Sequence, residues 1–247
     1  WDYPANTRGY TPSIVLEYVT PKNELRYAIS LEPMEANGNV MDWKINKANS
    51  HSLEYTHRYF LKGKPGAVRF LGFFNTANMG NYNESIALNP SAPDIIATRK
   101  YGRTKYGFGI NAEQSITKDA GMFFRAGWDD GNNETWAFTE IDRTVNAGIS
   151  SNGNKWNRPN DNVGLAYVAS GISSPHQNYL KHGGKGFELG DGNLNYGLEQ
   201  LTELYYSAAI KKNLLYLSGA YQFLINPGYN KSRGPVNVFS IRIHAAI

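Results

Sequence analysis

"VFSIRIHAAI" (residues 238–247) closes the chain with a strict two-residue alternation. Phe239, Ile241, Ile243, Ala245 and Ile247 fall on one side, and Ser240, Arg242 and His244 on the other. Period two is the mark of a strand with one apolar and one polar face. Chain ends ordinarily fray, so a regular strand reaching the last residue is expected to be held in register by a neighbour.

The same split recurs along the chain. In "ELRYAISLE" (24–32), Leu25, Tyr27, Ile29 and Leu31 oppose Arg26, Ala28, Ser30 and Glu32. "SLEYTHRYFL" (52–61), "KYGFGINAEQSI" (105–116) and "LLYLSGAYQFLI" (214–225) repeat it. Further strands are expected near residues 13–19, 67–76, 121–129, 135–150, 162–171 and 196–209, making about eleven in all. The 135–150 stretch, at about 3.3 Å per residue, would exceed the usual globular strand.

Connections alternate in length. Residues 21–23, 62–66, 117–120 and 211–213 read as tight turns, whereas 34–50, 77–103, 172–195 and 226–235 read as long links. Two connections break the pattern: 130–134 is short for its place and 151–161 is long. Alternating short turns and long loops are the arrangement of a transmembrane β-barrel, with turns in the periplasm and loops outside.

Composition agrees. The 247 residues carry a net charge of only +4, too little and too dispersed to point to nucleic acid. Cysteine is absent, which removes disulfides and thiolate metal sites. No apolar run reaches the roughly 18 residues of a spanning helix, a fact that bears on helices and not on strands. Aromatic residues at 13%, with 25 glycines, suit strands and tight turns.

The fold expected is therefore all-β, an antiparallel transmembrane β-barrel, with residues 1–247 part of a single barrel domain. An odd strand count would start the chain outside, whereas bacterial barrels usually have even counts and periplasmic termini. An unpaired edge in hydrocarbon would cost several kcal/mol per group by order of magnitude. Both considerations predict N-terminal strands that precede this chain.

Four stretches carry a family resemblance: "GWDDGNNETWAFTEIDR" (127–143), "WNRPNDNVGLA" (156–166), "GISSPHQNYLKHGGKGFELGDGNLNY" (171–196) and "NPGYNKSRGPV" (226–236). With these in order, the chain resembles the C-terminal part of the carbohydrate-selective outer-membrane porins of OprB type. The resemblance implies a barrel of about sixteen strands, about five of them before Trp1, that passes small sugars by diffusion. It implies an outer-membrane location, lipid as surroundings, no cofactor and no enzymatic activity. Monomer and homo-oligomer, such as a trimer, both stay open.

The polar strand faces are the expected lumen. Arg58, Arg69, Glu113, Arg125, Asp129, Glu140, Asp142, Glu199, Glu203 and Arg242 are the candidate pore-lining residues. Charges of both signs suit the hydroxyls of a neutral polyol, which donate and accept hydrogen bonds. Trp128, Trp136 and Trp156 are aromatic candidates, either for stacking on a sugar ring or for an interfacial girdle. Arg143 falls on the apolar face and is expected at a bulge or at the barrel rim.

A second reading is a soluble β-rich glycan-binding protein or glycoside hydrolase. Glu140 and Asp142, two apart on an expected strand, would lie about 7 Å apart and frame a glycosidic bond. Glu199 and Glu203, about 13 Å apart on one strand, fit that role less well. "DDGNNE" (129–134) lacks the ligand spacing of a calcium loop and reads as a hairpin turn. His51, His57, His176, His182 and His244 have no metal-site spacing.

Overall fold

The computed structural model describes residues 11–136, 139–186 and 188–245. Among the described residues eleven strands form one antiparallel sheet in sequence order, each hydrogen-bonded to the next. They are β1 (Ser13–Val19), β2 (Asn23–Leu31), β3 (Asn49–Leu61), β4 (Lys64–Met79), β5 (Lys100–Ser115), β6 (Ala120–Asp129), β7 (Arg143–Gly153), β8 (Arg158–Gly171), β9 (Glu199–Lys211), β10 (Leu215–Ile225) and β11 (Val236–Ala245). Two short helices, α1 (Tyr82–Leu88) and α2 (Ser174–Lys181), lie in the connections. Among the described residues no helix is long and apolar enough to cross a membrane. Ile247 lies outside the described residues.

The register makes the two faces continuous. One row runs Tyr27, Leu53, Gly72, Phe108, Trp128 and Arg143 across β2 to β7. Another joins Leu165, Leu204, Tyr221 and Phe239 across β8 to β11. These rows are apolar, and their members are largely exposed: Phe108, Leu53, Leu204 and Phe239 stand open on the surface. Large exposed apolar side chains outnumber buried ones, the reverse of a water-soluble domain and the expectation for a lipid-facing wall. The intervening positions form polar rows, such as Thr56, Arg69, Asn111, Arg125 and Asn146.

Both irregular connections resolve. β7 starts at Arg143, so the described residues of 135–142 are not strand, and the β6–β7 connection is the long 130–142 rather than a hairpin turn. The stretch leaves the sheet because Trp136 is buried instead against Ala77 and Met79. At the other end β7 runs on to Gly153 and β8 starts at Arg158, leaving only four residues between them. Long and short connections therefore alternate without exception from β1 to β11.

Turn chemistry explains the short ends. Lys62 and Gly63 form the whole β3–β4 link with φ of 51° and 74°, the doubly positive geometry that matches strand twist in a two-residue hairpin. Asn157 and Asn213 take left-handed conformations at the β7–β8 and β9–β10 turns, which Asn tolerates better than most residues. Arg143, first in β7 and paired with Trp128 and Gly171, sits at the rim.

The central outward position of β11 supplies a test. Ile241→Arg places a charge on the apolar face and is expected to cost about 2–4 kcal/mol of barrel stability, whereas Arg242→Ile alters only the polar face. Heat-modifiable migration of the complete barrel on gels should show loss of folded species for the first variant alone. Greater damage from Arg242→Ile would mean that the faces are exchanged.

Candidate functional site

The polar face bears charges of both signs, several of them paired across strands. Arg69 on β4 meets Glu113 on β5 at 2.9 Å. Arg58 and Arg26 both hold Glu24, and Glu203 accepts a hydrogen bond from Gln222. Arg69, Asn111, Arg125 and Asn146 are cross-strand neighbours in one row, which sets the two guanidinium-bearing positions about 10 Å apart. Around them lies a groove of about 420 Å³ that also takes in Glu54, Thr144 and Ser170. Ile141, from the 130–142 connection, reaches the same groove, so that connection folds over the polar face.

Aromatic rings lie between the charges. A Cβ built on Gly148 would fall 2.5 Å from the Phe123 ring, and one on Gly164 would fall 2.3 Å from that of Tyr205. Each ring therefore lies down over the bare backbone of a cross-strand glycine, a pairing that restores packing the glycine lacks. The Arg125 guanidinium lies 5.3 Å from the Phe123 centroid. Phe123 and Tyr205 are not among the sequence candidates, because their placement opposite Gly148 and Gly164 depends on the register between strands.

The other sequence candidates are distributed differently. Arg242 lies on the polar face of β11 beside Ser218 and His244. Glu199 opens β9 and accepts the Gly228 N–H at 2.7 Å. Trp128 is on the outward face, packed on Phe108 at 5.3 Å and Tyr106 at 5.9 Å. Trp156 stands at a short turn, its Nε1 donating to the Tyr206 hydroxyl at 3.1 Å. Trp136 is buried where 130–142 meets upper β4, with the Arg99 guanidinium 5.8 Å from its ring.

Glu140 and Asp142 belong to a compact assembly of the long connections rather than to an open wall, and Asp129, buried at the end of β6, donates its N–H to the Asp142 carbonyl at 2.9 Å. The apolar centre of the assembly is Tyr82, Ile95, Ile172, Tyr179, Leu180, Leu194 and Tyr229. Tyr82 stacks on His176 at 4.4 Å, and His176 Nδ1 lies 3.1 Å from Asp142 Oδ2, both residues fully buried. Ser173 caps α2, its N–H donating to Asp142 at 2.6 Å and its hydroxyl to the Gly131 carbonyl at 2.5 Å. The Tyr229 hydroxyl donates to the Glu140 carbonyl at 2.9 Å. Four connections are thereby tied together. Ser173 followed by Pro175 is a helix-start signal legible in the sequence, but nothing there linked His176 to Asp142, 34 residues earlier.

Burial disfavours ionisation of Asp142, yet the His176 charge and hydrogen bond outweigh it and hold the carboxyl well below the usual range. Glu140 goes the other way. Burial pushes its carboxyl up to about 7 against the opposing influence of His176 and the Leu189 N–H. These carboxylates are not the strand pair of the hydrolase reading: they lie in a connection and one is locked to histidine. Among the described residues no three His, Asp or Glu side chains converge to hold a metal.

The buried pair makes His176→Ala costly, about 3–5 kcal/mol, because it strands a carboxylate. Protease cleavage within 130–142 and 172–198 should accelerate while heat-modifiable migration persists. Glu140 makes loop packing pH-dependent. Its raised folded-state pKa stabilises the packed loops fully below about 4.5, a contribution lost as pH rises through about 7. Protease sensitivity should therefore rise across that window, and Glu140→Gln should flatten the dependence.

No curated protein matches the chain. Among solved structures it is similar to Pseudomonas putida OprB at high pH, with 17% identity, a TM-score of 0.74, 94% of this chain covered and 58% of that one. The outer membrane channel DcaP of Acinetobacter baumannii gives 12% identity, a TM-score of 0.56 and coverage of 94% and 60%. Acinetobacter baumannii OccAB1 gives 14%, 0.50, and 93% and 56%. The chain thus spans under two thirds of the length of each. A family model described as "Carbohydrate-selective porin, OprB family" matches residues 17–246, so the chain belongs to that family of outer-membrane β-barrel porins.

Proposed function

We propose that the chain supplies most of the wall of a single barrel domain that lets small neutral sugars diffuse across the outer membrane. The observation that supports this best is the polar face itself. Paired charges of opposite sign alternate with Phe123 and Tyr205, laid flat against the wall. Flat rings match the apolar face of a pyranose, and the charged and amide groups exchange hydrogen bonds with its hydroxyls. Neutralised pairs leave little net field to favour one ion. The 130–142 connection, reaching the groove through Ile141, narrows the passage from the outer side. Lipid surrounds the outward apolar rows, and oligomerisation is not required by this reading. The strands that complete the barrel share the constriction.

Liposome swelling with the complete barrel is the direct test. Neutral monosaccharides should enter faster than charged solutes of similar size, and protein that is stable and monomeric without detergent would contradict the reading. Phe123→Ala and Arg125→Ala should each lower sugar flux modestly, by less than about tenfold, since stacking or one polar contact contributes on the order of 1 kcal/mol. Unchanged flux in both would remove this part of the wall from the sugar path.

A further inference from the structure

The two ends of the sheet differ in charge. The five long connections, residues 32–48, 80–99, 130–142, 172–198 and 226–235, together carry eleven acidic and seven basic side chains. The five short turns, 20–22, 62–63, 116–119, 154–157 and 212–214, carry five lysines and one aspartate. Each turn has its own: Lys22, Lys62, Lys118, Lys155 and Lys212.

All five are exposed, and among the described residues none lies within ion-pair distance of a carboxylate. The acids at this end have other partners, although Asp119 feels the charges of Lys118 and Lys155 from beyond ion-pair distance. Glu24 is held by Arg26 and Arg58, Asp161 by Arg158 and the Tyr206 hydroxyl, and Asp119 accepts from the Asn154 amide. Exposed apolar side chains lie beside the turns, including Tyr18, Leu61, Ile116, Trp156 and Leu214. Each lysine therefore sits next to exposed apolar side chains, the placement in which a lysine stem lies along apolar surface while its charge reaches beyond it.

Successive hairpin turns are about 10 Å apart along the sheet, two strand spacings. That is close to the Debye length at physiological salt, about 8 Å, so neighbouring charges act partly together on an anionic surface. We propose that this rim is a docking surface for anionic glycerophospholipid headgroups of the leaflet beneath the short turns. The proposal rests on the outer-membrane reading but not on passage of sugar. Charge complementarity favours phosphate, and the apolar side chains beside each lysine favour a lipid over a soluble acidic partner.

Native mass spectrometry of the detergent-purified complete barrel tests it, with phosphatidylglycerol and phosphatidylcholine as probes. The unaltered protein should retain several-fold more phosphatidylglycerol, and the preference should shrink as salt is raised. A variant with Lys22, Lys62, Lys118, Lys155 and Lys212 all changed to Gln should lose it. The variant Lys44→Gln, Lys47→Gln and Lys231→Gln, in the long connections, should keep it and so exclude phosphate bound at the outer end. Should the fivefold variant not fold, Lys118→Gln with Lys212→Gln is expected to reduce the preference by a smaller factor, and replacement by Arg to preserve it. Equal retention of both lipids by the unaltered protein, or a preference that survives in the Gln variants, overturns the proposal. So does binding of a polyglutamate peptide without any lipid preference. Liposome swelling on the same samples separates this outcome from that for sugar flux.

Discussion

Within hydrocarbon a backbone N–H or C=O has no water to bind, and leaving one unpaired costs several kcal/mol by order of magnitude. The ladder that runs from β1 to β11 answers that constraint, and the rest of the architecture follows from it. Uninterrupted antiparallel pairing places successive connections at opposite ends of the sheet, and here the short turns fall at one end and the long loops at the other. Continuous pairing also locks register, and register decides which side chain faces which solvent. The row Arg69, Asn111, Arg125, Asn146 exists as a polar strip only because four strands are aligned to the residue.

Outside the membrane the physics changes. The long connections meet water and can adopt irregular backbone, so they are held as a small soluble protein is held. Tyrosine-rich packing, a capped helix and a buried histidine–carboxylate contact do this work. A buried pair adds little net stability, because desolvation cancels much of the attraction, but it punishes any arrangement that separates its members. His176 with Asp142, Ser173 with Gly131 and Tyr229 with Glu140 thus join three of the connections in one geometry, and Tyr82, stacked on His176, adds the fourth. With Trp136 seated on Ala77 and Met79, the 130–142 connection is anchored to the sheet.

Glycine has a structural part in the wall beyond its turns. Phe123 and Tyr205 point to the polar side of the sheet, each opposite a cross-strand glycine. Gly148 and Gly164 let them lie down. The same contacts protect backbone that would otherwise be bare, so one packing solution serves both the sheet and the space it borders.

The strands, their faces and their number were legible in the sequence, because period-two alternation is a local property that each segment states for itself. "VFSIRIHAAI" and "ELRYAISLE" needed no partner to be understood. The alternation of short turns and long loops was legible for a similar reason: Lys62–Gly63 and Asn213 are local turn signals. Residues 135–142 resemble a strand at their start, where Trp136 and Phe138 alternate with Thr135 and Ala137, and only the tertiary structure shows Trp136 leaving the sheet for Ala77 and Met79. The same holds for the lumen. Arg58, Arg69, Glu113, Arg125, Glu203 and Arg242 could be placed on the polar face by parity, but ion pairing depends on register between strands, which parity alone does not supply. The loop assembly was the least legible part. Asp142 and His176 meet across 34 residues, and Tyr179 bonds Ile95 across 84, contacts created by packing that no local pattern encodes.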